Sequence, residues 1–124
     1  MSWLAVALGG AAGSLLRYAI GLGFPFAGHR FPWSTFAINV AGSFLIGLAW
    51  VLIVEKAAGW PEARLWVMTG FLGGFTTFSS FSLEALLLWQ NGHASLALGY
   101  LLGSLLAGMM AIVLAVWLAR QLWL

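Results

Sequence analysis

Charged and amide side chains are scarce in this sequence, and the few that interrupt apolar runs hold most of its chemical content. Arg17 interrupts the first run, Asn39 the second and Glu84 the third. In hydrocarbon such groups are costly, and each calls for a partner or a role. Arg17 has two readings: a guanidinium snorkelling to the headgroups from the end of a span, or a fixed positive charge that draws anions to a pore mouth. Asn39 is either hydrogen-bonded glue between helices or an N–H donor to a dehydrating anion. Glu84 is either an interfacial carboxylate or a pathway residue.

The segment GFLGGFTTFSSFS, residues 70–82, is the strongest local anomaly. Gly70, Gly73 and Gly74 stand beside Thr76, Thr77, Ser79, Ser80 and Ser82, all poor helix formers. A helix break here would free carbonyl and N–H groups in mid-membrane, which is tolerated only where protein buries them or where they line a site. Freed carbonyls suit a hard cation such as sodium, and hydroxyls suit an anion. Phe75, Phe78 and Phe81 recur every third residue among those hydroxyls. An aromatic edge carries partial positive charge and can face a small anion without the tight grip of a cation.

Other chemistry is excluded. Cysteine is absent, which removes disulfides, thiolate metal sites and cysteine nucleophiles. There is no HExxH and no GxSxG, and His29 and His93 lie in turns far apart in sequence, so no catalytic dyad or metal site is evident. The basic residues Arg17, Arg30, Lys56, Arg64 and Arg120 are scattered and form no nucleic-acid patch.

The elements that position these residues follow from composition. Of 124 residues, 63% are hydrophobic and 6% charged, and mean hydropathy is +1.02. A soluble domain carries roughly 25% charged residues. The charges and turn residues divide the chain into four apolar runs at about 3–23, 33–54, 65–89 and 94–119. Each matches the roughly 20 helical residues that span a bilayer. Helices are expected rather than a barrel, because the runs are apolar all round and do not alternate. The expectation is an all-α membrane protein, a single integral-membrane domain over 1–124, with a break in the third of four transmembrane helices. The N-terminus lacks a basic region before its apolar run and reads as a retained first span. Turns are expected at 24–33, 57–64 and 91–93, and Trp33, Trp60, Trp66, Trp89, Trp117 and Trp123 fall near span ends, where amphipathic rings favour the interface.

Charge hardly decides orientation. Four spans put Lys56, Arg64 and Arg120 on the face of the termini, with Arg30 and Arg17 towards the other. So weak a bias admits either one orientation or insertion of copies facing both ways. The pairs Gly9/Gly13, Ser43/Gly47, Gly70/Gly74, Gly99/Gly103 and Ser104/Gly108, all spaced i, i+4, are expected to let helix backbones approach closely, within one bundle or between chains.

Three segments carry a family resemblance: GGAAGSLLRY (9–18), NVAGSFLIG (39–47) and GFLGGFTTFSSFSLE (70–84). Together with the four-span layout, they resemble the Fluc (CrcB-type) fluoride channel family end to end. The resemblance implies an antiparallel, dual-topology homodimer in the bacterial inner membrane, with two pathways for passive electrodiffusion of fluoride out of the cytoplasm, and no enzymatic activity. By that resemblance Asn39, Phe78 and Phe81 line each pathway, and the hydroxyls of Ser79, Ser80, Tyr100 and Ser104 continue it. Arg17 matches the family's first-span arginine at a pore vestibule. Backbone carbonyls of Gly73 and Thr76 from both subunits would hold one structural sodium ion, Na+, at the dimer centre. One turn beyond Ser104 the sequence has Gly108, where a hydroxyl would have extended the polar track.

Two other readings compete. A small multidrug exporter also has four helices and dual topology, but by analogy it wants a carboxylate in the first span, where this chain has Arg17. A non-transporting assembly subunit would not require so many hydroxyls among the phenylalanines of 70–82.

Overall fold

The computed structural model describes residues 1–56 and 61–123. Trp60 and the first half of the turn expected at 57–64 lie outside the described residues. Four helical stretches are long and apolar enough to cross a membrane: Ser2–Gly23, Trp33–Glu55, Arg64–Gln90 and Ala94–Trp123. No strand occurs among the described residues. The first stretch is α1 (Ser2–Gly23). In the second, α2 (Trp33–Ala49) runs on into wider, π-helical turns over Trp50–Glu55. The third opens with π-helical turns over Arg64–Leu72, continues as α3 (Gly73–Phe75), and resumes as α4 (Ser79–Gln90). The fourth is α5 (Ala94–Trp123). At about 1.5 Å per residue α5 is about 45 Å long, more than the hydrocarbon thickness, so it must tilt or project.

Small residues set the closest approaches. Gly9 and Gly13 are buried where α1 crosses the third stretch. A methyl on Gly9 would lie 2.6 Å from the Trp66 carbonyl oxygen, and one on Gly74 would lie 2.5 Å from that of Gly10. Glycine is required at both positions by backbone meeting backbone. On the other side α2 packs along α5, where a methyl on Gly47 would come within 2.9 Å of the Ala115 side chain. Gly99 and Gly103 take no part in these seams. A methyl on either would meet nothing within 4 Å among the described residues, so this pair mediates no approach inside the chain.

Two apolar clusters flank the seam. Ile38, Met68, Leu72 and Phe75 form one, and Ala85, Leu88, Ala97 and Tyr100 the other. Polar contacts tie the ends. Arg120 forms an ion pair with Glu55 at 2.6 Å, and Trp50 Nε1 donates to the same carboxylate. At the other end Asn91 Nδ2 donates to the Gly28 carbonyl at 2.9 Å, fastening the 24–32 loop to the turn before α5. Gly28 has φ +82°, a left-handed conformation that glycine adopts without strain. The outer face of α5 stays apolar and exposed at Leu98, Leu105, Leu106, Met109 and Met110. A helix so apolar and so little buried faces lipid or another chain.

Candidate functional site

The site is built around residues 76–78, where the chain is not helical. Thr76 is extended, with φ −82° and ψ 160°. Backbone groups that leave a helix at membrane depth need new partners, and distant side chains supply them. Asn39, on α2, forms a two-way clamp: its Nδ2 donates to the Thr77 carbonyl and its Oδ1 accepts from the Thr77 N–H, both at 2.9 Å. From α1, Arg17 Nε donates to the Gly74 carbonyl at 3.2 Å, with Ser14 Oγ on the same oxygen at 3.4 Å. Thr77 Oγ1 accepts from the Ser80 N–H at 3.2 Å and caps the start of α4.

Two carbonyls gain nothing from these exchanges. The Thr77 N–H, which would close a helical bond on the Gly73 carbonyl, donates to Asn39 instead. The Ser80 N–H, which would reach the Thr76 carbonyl, donates to the Thr77 hydroxyl. Thr76 Oγ1 turns back to the Leu72 carbonyl.

The clamp sits between two depressions, and Thr77 lines both. On one side a groove of about 640 Å³ is lined by Asn39, Ser43, Thr76, Phe78, Phe81 and Ser104, among others. On the other a crevice of about 300 Å³ is lined by Arg17, Ser34, Thr35, Ser80 and Glu84, with apolar neighbours. The expected pathway residues are thus divided. Asn39, Phe78, Phe81 and Ser104 border the groove, whereas Ser80 and Arg17 border the crevice. Ser79 lines neither and is exposed. Tyr100 is fully buried, and its hydroxyl donates to Glu84 Oε1 at 2.9 Å.

The rings form a continuous series. Phe78 and Phe81 have centroids 6.0 Å apart, and Phe81 meets Tyr100 edge-on at 5.0 Å. Phe31 in turn meets Tyr100 edge-on at 5.3 Å. Phe78 is 78% exposed, so most of its ring faces outside the chain. Ser104 presents the opposite case. Its hydroxyl is buried and has no hydrogen-bond partner among the described residues. A buried hydroxyl without a partner costs roughly 1–3 kcal/mol unless something visits it.

Sequence reasoning missed Thr35, Ser14 and Ser43. Thr35 is buried and donates to Glu84 Oε2 at 2.9 Å, so Glu84 is held by Thr35 and Tyr100 together. A signal was present: Thr35, Asn39 and Ser43 are spaced four apart and share one face of α2. Ser14 likewise precedes Arg17 by three.

Comparison with known proteins gives a consistent result. Residues 4–116 match the family model described as CrcB-like protein, Camphor Resistance (CrcB). A protein of Saccharophagus degradans named fluoride-specific ion channel FluC is 48% identical over 120 residues, covering 97% of this chain and 90% of its own. Relatives bearing the same name in Agrobacterium fabrum and Thermus thermophilus are 47% and 55% identical, covering 94% and 86% of this chain and the same shares of their own.

Proposed function

The chain belongs to the CrcB-like family, and from that premise we propose that it is a fluoride-selective channel, a multi-pass membrane protein and not an enzyme. Its relatives carry that name, and the arrangement around Thr77 supports it. The observation that carries the reading is the groove itself, where an amide, a buried hydroxyl without a partner among the described residues and two phenylalanine rings converge beside a non-helical interval.

Fluoride is small and strongly hydrated, so conduction requires replacing its water at low cost. Asn39 has one Nδ2 proton in use on Thr77 and a second to offer the groove. Ser104 has its whole hydroxyl to offer. The positive edges of Phe78 and Phe81 add weak attraction. Several weak sites in series let an ion leave as readily as it arrives. The Arg17 charge, in the crevice on the far side of the clamp, raises the local anion concentration. Ser80 borders the same crevice, and Ser79 and Tyr100 act beside the route. Flow is passive electrodiffusion, outward from the cytoplasm across a bacterial inner membrane.

The working unit in this reading is an antiparallel homodimer with two pathways, in which the interval 76–78 is the break of the third membrane helix. The exposure of Phe78 and of the α5 face supports a second copy. The carbonyls of Gly73 and Thr76, released from helical bonds, are hard oxygen donors of the kind that suits a sodium ion. A sodium ion held by the Gly73 and Thr76 carbonyls of both subunits would supply a fixed charge that ties the two copies together. The test is halide efflux from liposomes holding the purified protein. Fast fluoride release with negligible chloride release is expected, and equal passage of both halides refutes the selectivity.

A further inference from the structure

The face of α2 that bears Thr35 and Asn39 continues, four residues on, to Ser43, which lines the same groove as Ser104. Four residues of helix advance about 6 Å. On the facing helix α5, Tyr100, Ser104 and Gly108 repeat the same spacing. The first level of this double row is closed by Glu84, which Thr35 and Tyr100 both reach. At the next, Asn39 and the unpartnered Ser104 border the groove together. At the third, α5 has no side chain, and a methyl built on Gly108 would lie 3.4 Å from Ser43 Oγ.

We infer that Ser43 is a fluoride-contacting residue of this channel, its hydroxyl occupying from α2 the place that Gly108 leaves empty on α5. Gly108 is then not a gap in the polar track. Its missing side chain makes room for the hydroxyl that carries the track past Ser104. A serine that merely packs a helix seam would meet Gly108 at the same distance but would have no need of its hydroxyl, and that difference is what the variants below read. The contact distance also means that a Cβ at 108 stands at van der Waals separation from Ser43 Oγ, and replacing Ser43 by alanine removes that oxygen and leaves room for a hydroxyl from α5.

This inference rests on the fluoride-channel reading, and its test separates the two. Fluoride efflux is measured from liposomes containing the unmodified chain, Ser43→Ala, Ser43→Thr, and Ser43→Ala combined with Gly108→Ser. Loss of one hydrogen bond to an anion slows Ser43→Ala by about tenfold or more. Ser43→Thr stays near the unmodified rate, and Gly108→Ser restores flux to the alanine variant by returning a hydroxyl from the opposite helix. Should Ser43→Ala fail to fold, Ser43→Cys, which keeps the volume but only a weak donor, is read in its place. Absence of fluoride flux from the unmodified chain overturns the channel reading and this inference with it. Normal flux in Ser43→Ala, or a loss that Gly108→Ser does not restore, overturns this inference alone.

Discussion

In the proposed channel, Asn39 serves structure and transport at once. Its amide returns to Thr77 both hydrogen bonds that the chain forfeits where α3 ends. That leaves one N–H for the groove, so the glue reading and the donor reading are both accommodated. Asn39→Ala leaves two Thr77 backbone groups unpaired, at roughly 1–3 kcal/mol each. The expected outcome is a lower thermal midpoint in detergent together with loss of fluoride efflux. Asn39→Asp keeps an acceptor for the Thr77 N–H but places a negative charge against the Thr77 carbonyl and in the path of an anion. Its efflux is expected to fall severely. An alanine variant with unchanged midpoint and flux would show that the clamp bears no load. Arg17 works in a comparable way: its Nε holds the Gly74 carbonyl, while the guanidinium borders the crevice. The snorkelling reading does not account for a hydrogen bond to a carbonyl of the third stretch.

At the scale of elements, the seams differ in what they tolerate. Gly74 meets the α1 backbone, and no rotamer change can relieve a methyl 2.5 Å from the Gly10 carbonyl oxygen. Gly74→Ala is expected to cost about 1–3 kcal/mol by overpacking and to disturb the carbonyl that Arg17 and Ser14 hold. Gly99→Ala meets nothing within 4 Å among the described residues and is expected to stay within about 0.5 kcal/mol. Thermal midpoints of the two variants, measured side by side, decide between a backbone seam and a merely small-residue one. The sequence carried the four apolar helices plainly, because hydropathy alone separates runs such as 33–54 from their polar flanks. It also marked 70–82, because glycine, serine and threonine propensities conflict with a membrane helix there. It could not show which groups would take over the backbone bonds at 76–78. Arg17 and Gly74 are 57 residues apart, and Asn39 and Thr77 are 38 apart, so their pairing is a product of packing. Thr35, Asn39 and Ser43 were different. They share one face at helical spacing, but spacing alone does not separate a hydroxyl that bonds a distant carboxylate, as Thr35 does, from one that packs.

At the scale of the molecule, charge decides how copies can be inserted. The face of the termini holds Lys56, Arg64 and Arg120, and the ion pair of Arg120 with Glu55 leaves its positive charge in that count. Arg17, nominally towards the other face, is bonded to Gly74 inside the helix bundle. Three basic residues against Arg30 and Arg17 make a small bias, which permits both orientations and hence the antiparallel dimer proposed above. A few added charges can therefore fix the topology. Ser2→Arg with Gln121→Arg strengthens the terminal face. His29→Lys with His93→Lys and Lys56→Gln strengthens the opposite one. None of these residues lines the groove or the crevice. Each locked chain expressed alone is expected to give little fluoride efflux from membrane vesicles, because every copy points the same way. Expressed together, the two are expected to restore it. Full efflux from either locked chain alone, with its orientation verified by labelling of single added cysteines, would mean that the conducting unit is parallel or a single chain. In the single-chain case the open groove and exposed Phe78 would have to face lipid.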